Sequence, residues 1–438
     1  MPLLAVALFA LVALMGIAVD AGRAMLVWSK LNYAIDAAGL AAGARLNSTS
    51  LQAEVAKFVN ANFAAGYTGA RVTDVHPTVS PDGTLITIAG TAVMPTTFMR
   101  IVGIQDVTVN ARSEITRAVN GLELVMVLDN TGSMAPYMAN LKTAAKDLVN
   151  ILFGDSASID NLFIGLVPFS QAVNIGTGRT SWIDGVHKDS LDWGPSSQGG
   201  WHGCVEARRD GLDVTDAPPS EQLFRAYYAP DTSSNDWIRS GSYRTPFSTS
   251  SRGPNLYCPA RMTGMTRQRS AVVAAIEAMQ AVGGTHVNVG AVWGWRMLSP
   301  RWRGSWGGDM NLHNLPLDYN TEKMEKAAVI MTDGANTAYT DVYSAYGFLN
   351  EGRLGTTSST SAAAAELDRR LAATCTAMKN AGIIVYTIAF ANPGATIESM
   401  MRGCATQPDF YFRSPTTADL QTAFRTIADA LSNLRVSR

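Results

Sequence analysis

Residues 125–134 read VMVLDNTGSM, an unbroken apolar run that stops at Asp129 and is followed at once by the hydroxyls of Thr131 and Ser133. Strands that are apolar on both faces belong to parallel sheets covered by helices on either side. Outward from this stretch, ELVMVL (123–128), NLFIGLVPF (161–169), KAAVIMT (326–332) and IIVYTIAF (383–390) alternate with helical patterns near 135–153, 266–281, 361–381 and 416–434. That alternation predicts an α/β fold with a doubly wound, mostly parallel sheet over residues 121–438. Ligands of such sheets sit beyond the carboxyl ends of the strands, and Asp129 falls there.

Two further stretches bring oxygen ligands to the same end. Thr285, in GGTHVNVG (283–290), lies on a glycine-rich loop capping a helix, and Asp333, in MTDG (331–334), ends another strand. Hydroxyl and carboxylate oxygens from three loops suit a hard divalent cation such as Mg²⁺, with Mn²⁺ and Ca²⁺ left open. A cation also resolves the unfavourable meeting of two carboxylates.

The D-x-T-x-S of 129–133, the threonine after paired glycines at 285 and the aspartate of TDG at 333 resemble the metal-ion-dependent adhesion site of von Willebrand factor A domains, in that family's order. Thr131 stands where the family's first serine is usual and keeps the hydroxyl. The resemblance implies a Rossmann-like sheet in which Thr131, Ser133 and Thr285 touch the ion or its waters, with Asp129 and Asp333 nearby. It also implies that the ion completes its shell with a carboxylate from a protein partner, which is binding chemistry and not catalysis.

An enzyme reading competes for the same residues. DNTGS (129–133) resembles the DKTGT phosphorylation loop of P-type ATPases, and TDGANTA (332–338) their GDGxNDA segment. Asn130 replaces that loop's lysine, and Thr337 stands where its second aspartate belongs. A phosphatase of the haloacid dehalogenase type fails as well, since its second loop aspartate falls at Thr131. The five histidines are scattered, and no GxxxxGK[ST] loop or GxSxG elbow is present. The chain is not expected to be an enzyme. With a formal charge of −1 and no RNP-like, zinc-finger or arginine-rich segment, nucleic acid is not an expected partner either.

Residues 176–265 form a connection far longer than the usual two to six residues, which marks an insertion. It holds Trp182, Trp193, Trp201 and Trp237 together with Cys204 and Cys258. Aromatic packing around a disulfide-tied mini-core is its expected use, ahead of sugar stacking. A smaller excursion covers 300–320. Cys375 and Cys404 flank a predicted helix and strand; the four cysteines allow three pairings, of which 204–258 with 375–404 is the simplest. Disulfides persist outside the cytosol, so the cysteines favour an exported body.

The first 19 residues, MPLLAVALFALVALMGIAV, carry no charge and match the ~20 residues a helix needs to cross a bilayer. An uncleaved membrane anchor is expected there. Arg23, Lys30 and Arg45 all follow it, so the positive-inside rule alone keeps the body cytoplasmic, against the cysteines. The helical pattern runs on to about Leu46, a rod of roughly 65 Å. Gly39 and Gly43 stand at a spacing that lets another helix approach. Residues 51–63 then predict a short amphipathic helix, and RVTDVHPTV, LITIAGTAVM and VTVNARSEITRA predict strands, the first two joined by a turn at SPDG. The expected divisions are a transmembrane helix over 1–46, pilin-like by the resemblance given next, a small α+β module over 47–120, and the A domain over 121–438.

This layout, from AVDAGRAMLVWSKLNYAIDAAGLAAGARL through LDNTGSM to CTAMKNAGIIVYTIAF, is similar to TadG-like proteins of bacterial tight-adherence, or Flp, pilus systems, whose typical ending includes the cysteine pair 375 and 404. Relatives carry a short arginine-containing segment before the span, and the resemblance implies that this chain starts inside it. The expectation is a single-pass protein of the bacterial inner membrane with its body in the periplasm or exported. It binds a carboxylate-bearing pilus or envelope protein at a metal site. An alternative is a mainly structural biogenesis component that acts through its N-terminal helix, its metal site vestigial.

Overall fold

The computed structural model describes residues 2–43, 51–80, 85–116, 120–185, 200–237 and 252–436, with side chains in the first helix from Leu14 onward. The chain divides into two compact units, residues 1–119 with 432–438 and residues 120–431.

In the first unit, helix α1 (Pro2–Gly43) and helix α2 (Leu51–Asn62) accompany an antiparallel sheet of β1 (Arg71–Val79), β2 (Leu85–Pro95) and β3 (Asp106–Thr116), in that order. Val27, Leu31, Ala34, Ile35, Ala38 and Ala42 recur on one face of α1 and share a core with Val55 and Val59 of α2 and Ile86, Ile88, Ala92 and Met94 of β2. The small residue Gly39 meets the sheet and not a second helix. A Cβ there would lie 2.1 Å from Ile115 Cδ1. The Val27–Ala42 part of α1 therefore shares the core of the small module. The SPDG turn and residues 44–46 lie largely outside the described residues.

Among the described residues, no helix is long and apolar enough to cross a membrane, so the expected transmembrane helix is not found there. Much of the predicted span, before Leu14, lies outside the described side chains. Beyond Val19, α1 carries Asp20, Arg23, Lys30 and Asp36 and turns into the packed helix of the module.

The second unit is built on β4 (Gly121–Asp129), β5 (Leu162–Phe169), β9 (Met324–Thr332), β10 (Ile384–Phe390) and β11 (Tyr411–Ser414), paired in parallel in the order β11-β10-β9-β4-β5. The β5 side continues antiparallel through β6 (Val173–Asn174) and β7 (Cys204–Val205), and β8 (Thr263–Thr266) also pairs antiparallel with β5. This is the doubly wound, mostly parallel α/β sheet expected from the alternating pattern. Alternate residues of β4 face opposite layers. Leu124, Met126 and Leu128 pack with α3 (Met138–Phe153), α4 (Arg269–Glu277) and the last helix (Thr417–Val436). Val125 and Val127 pack with α5 (Val287–Leu298) and with the long helix Thr360–Asn380.

Helix α5 has no counterpart among the helical ranges predicted above. All twelve of its residues are buried, so it shows no polar face for periodicity to detect. Its glycines permit close approach to the sheet, since a Cβ on Gly290 would lie 2.5 Å from Phe169 Cδ1.

The disulfides are Cys204–Cys258 and Cys375–Cys404. Trp182, Trp201 and Trp237 are buried, as a mini-core requires, while Trp193 lies outside the described residues. Trp182 packs against Trp302 and Trp306 with ring centroids 5.1 and 5.3 Å apart, and Trp201 Nε1 donates to the Cys204 carbonyl. Ion pairs Glu206–Arg353 and Asp213–Arg370 tie this insertion to later parts of the unit.

Candidate metal centre

Strands β4 and β9 are neighbours, yet the chain leaves β4 toward β5 and returns to β9 on the other side. Loops leaving their carboxyl ends diverge, and the crevice between them is the switch point where such sheets bind ligands. Asp129 is the last residue of β4, and Asp333 directly follows β9.

Asp129 is fully buried. Its Oδ1 accepts the Thr131 amide at 2.8 Å, an Asx-type turn that fixes the loop, and its Oδ2 accepts the Thr332 hydroxyl at 2.7 Å. The Ser133 hydroxyl donates to Asp333 Oδ1 at 2.8 Å. With its one proton so used, Ser133 can only accept from the Thr131 hydroxyl, 3.0 Å away. A directed chain thus runs from Thr131 through Ser133 to Asp333.

Thr285 joins this group through backbone. Gly132 N donates to Gly283 O at 2.8 Å, and Val282 N donates to Asn130 O at 2.7 Å, which clamps the 282–285 loop against the 129–133 loop. Thr285 N donates to the Thr337 hydroxyl and Thr337 N to the Thr285 carbonyl, both at 2.9 Å. The structure therefore brings Asp129, Thr131, Ser133 and Asp333 into one hydrogen-bonded set, with buried Thr285 on the adjoining loop. Asp129, Thr131 and Thr285 form the buried floor; Ser133 is exposed and Asp333 half-buried.

The electrostatics are those of a site lacking positive charge. Burial pushes the Asp129 carboxyl well above the usual carboxylate range, and the Asp333 charge pushes it further. Burial raises Asp333 too. Among the described residues no lysine or arginine pairs with either. His286, next to Thr285, adds no charge, because burial holds its pKa down at about 4 and its Nε2 donates to the Thr337 carbonyl at 3.0 Å. Two desolvated carboxylates among hydroxyl oxygens, with no protein cation, fit a hard divalent ion. Among the described residues no cluster of three or more His, Cys, Asp or Glu could hold a metal, so hydroxyls must complete any ligand set here.

Several residues that position the centre have little sequence signature. Thr332 supports Asp129 from the far side of the crevice. Gln171 accepts from Gly284 N at 2.9 Å through Oε1 and donates to the Tyr343 carbonyl through Nε2 at 2.6 Å. Asn336 accepts from Val287 N at 2.8 Å and donates to Asp368. Thr332 sits beside the aspartate of TDG and was within reach of sequence reasoning. Gln171 and Asn336 act on backbone far away in sequence, and no local pattern marks them. Beside the centre, a shallow cleft is lined by His286, Thr337, Tyr339, Tyr346 and Phe348 among others.

No protein-family model matches the chain, and no curated protein sequence matches it. Among solved structures, the chain is similar to the pilus adhesin SpaC from Lactobacillus rhamnosus GG, at 12% identity and a TM-score of 0.36 over 83% of this chain and 34% of that one. It is similar to the vWF domain of the type V pili tip protein Mfa5 from Porphyromonas gingivalis, at 12% identity and a TM-score of 0.38 over 73% of this chain and 97% of that one. A third likeness, at 9% identity and a TM-score of 0.33 over 73% and 47% of the two chains, is to proximal thread matrix protein 1 from the mussel byssus with a zinc-occupied MIDAS motif. The chain spans about a third of the length of SpaC.

Proposed function

We propose that this chain is a von Willebrand factor A-type adhesion or assembly factor of a tight-adherence (Flp) pilus system, held to the inner membrane by its N-terminal residues with its body outside the cytoplasm. Its working part is the strand-end centre. The observation that carries the reading is the convergence of Asp129, Thr131, Ser133 and Asp333 at the switch point of the sheet, with one fully buried and one half-buried carboxylate and, among the described residues, no lysine or arginine paired with either.

Thr131, Ser133 and Thr285 would hold the ion directly or through water, with Asp129 and Asp333 behind them. A bound Mg²⁺, Mn²⁺ or Ca²⁺ supplies an electrophile for a partner's carboxylate. The protein's own part is to keep the hydroxyls pointed at one place and to bury Asp129. Exposed Ser133 and half-buried Asp333 leave the outer side open to a partner, and the Tyr339 side of the cleft offers apolar contact next to it. The two disulfides support an oxidising location.

Capture of envelope or pilus proteins by the purified full chain tests this. Mg²⁺ should support capture, EDTA should abolish it, and Asp129→Ala should abolish it while leaving the fold. Capture that persists unchanged in EDTA would rule out the metal-bridged mode.

A further inference from the structure

We propose that the first unit contacts a lipid bilayer through a second element besides its N-terminal helix, the apolar loop 98–104, which lies at the bilayer interface. The inference rests on the membrane-anchored reading above and adds to it a specific docking surface.

The loop FMRIVGI presents Phe98, Ile101, Val102 and Ile104 to solvent, with Ile101 67% exposed. Exposed apolar residues scattered singly, such as Leu312 on the second unit, need no explanation, whereas a contiguous group does. This group is contiguous with another. A Cβ on Gly16 of α1 would lie 2.5 Å from Phe98 Cβ, so the loop sits against α1 at the level of exposed Leu14, Met15, Ile17 and Val19. Those residues are the end of the uncharged stretch 1–19.

The backbone of the loop points to an apolar setting. Asp20, fully buried, accepts the amides of Thr97, Phe98 and Met99 at 2.7–3.0 Å. Ile101 N donates to Phe98 O, Gly103 N to Arg100 O and Ile104 N to Met99 O. The Thr96 hydroxyl donates to the carbonyls of Ile104 and Gln105. A segment facing lipid must satisfy such groups internally, and this one does so for the amides of Thr97, Phe98, Met99, Ile101, Gly103 and Ile104. The loop turns these amides inward and its apolar side chains outward.

A polar boundary lies directly behind it. Arg23 donates to Asp20, to the Thr97 hydroxyl and to the Thr68 carbonyl. From Asp20 onward α1 carries charge, and up to Val19 it carries none. The exposed Arg100 on the loop can extend its guanidinium to lipid phosphates while its stem stays apolar. Continuity with an uncharged helix, a satisfied backbone and a charged boundary at the same level together favour lipid over a protein groove.

The test uses the full chain reconstituted with phosphatidylcholine–phosphatidylglycerol vesicles, carrying an environment-sensitive fluorophore at Ile101→Cys or, as control, at Thr73→Cys on β1. Flotation in a density gradient reads anchoring, and quenching by acyl-chain nitroxide lipids reads depth at each probe. The expected result is flotation with the probe at 101 blue-shifted and quenched and the probe at 73 unaffected. Val102→Asp should reduce quenching at 101 by about twofold or more, without loss of flotation. Flotation with the probe at 101 in water would overturn the loop inference and leave the anchor standing. Failure to float would overturn the anchored reading and the inference with it.

Discussion

Asp20 in the first unit and Asp129 in the second are both fully buried, and their surroundings answer them in opposite ways. At Asp20 burial pushes the carboxyl up, but the amides of Met99, Thr97 and Phe98 and the Arg23 side chain together pull it further down, to about 2. At Asp129 burial pushes the carboxyl up and Asp333 adds to it, with only Thr131 and Thr332 opposing. Burial alone therefore does not say what a carboxylate is for; the donors around it do. Asp20 is satisfied and structural, while Asp129 is left with a deficit that a cation would fill. Glu123, at the other end of β4, is answered in a third way, by an ion pair with Lys326 and by the Leu317 amide at 2.8 Å.

The contrast can be broken from the side of the satisfied groups. The largest effect is expected from Lys326→Met, which leaves Glu123 buried and unpaired at a cost of about 3–5 kcal/mol. Chemical denaturation of the second unit measures it, and a loss below about 1 kcal/mol would mean that Glu123 is already neutral. Asp20→Asn should come next. Hydrogen exchange at Thr97, Phe98 and Met99 should accelerate by about tenfold or more, while amides of the β4–β9 ladder keep their protection. The pH dependence carries the same message. Because the folded pKa of Asp20 lies below its unfolded value, its contribution is complete above about pH 4 and is lost as the pH falls toward 2. Exchange at those three amides should follow that window in the wild type and flatten in Asp20→Asn.

The smallest effect sharpens the comparison next to the centre. Asn130 is buried beside Asp129, and neither its side-chain Nδ2 nor its Oδ1 has a hydrogen-bond partner among the described residues. Replacing an unsatisfied buried group by an apolar one of similar size is close to neutral or stabilising. Asn130→Leu should therefore leave the thermal midpoint unchanged or raise it by up to about 1 kcal/mol equivalent. A drop of several degrees would show that the amide is engaged.

The legible part of the structure was the part in which a local pattern and a tertiary role coincide. Asp129, Thr131 and Ser133 interrupt an apolar strand, and Asp333 interrupts another, so their place at the strand ends could be read from the runs themselves. The pairing of Cys204 with Cys258 and of Cys375 with Cys404 follows the simplest local connectivity. Helix α5 was illegible because it is buried on all sides, Asn288 and Arg296 included, and carries glycines where it meets the sheet. Asp20 was illegible for another reason. In sequence it looks like the first charge after an apolar helix, and its partners are amides 77–79 residues away. The same long range hid the role of Gln171, which holds the Thr285 loop through a backbone amide.

Whether Asp129 is held in deficit for a cation is read from the thermal midpoint of the full chain with and without Mg²⁺, in the wild type and in Asp129→Asn. A ligand at a hundred times its dissociation constant adds about 2.7 kcal/mol, and each kcal/mol moves the midpoint of a unit this size by roughly 2–4 °C. Mg²⁺ should raise the wild-type midpoint by several degrees. Asp129→Asn, freed of the repulsion with Asp333, should be more stable than the wild type without metal and insensitive to Mg²⁺. An Asp129→Asn variant that is less stable than the metal-free wild type, or a wild type that ignores Mg²⁺, Mn²⁺ and Ca²⁺ alike, would contradict that deficit.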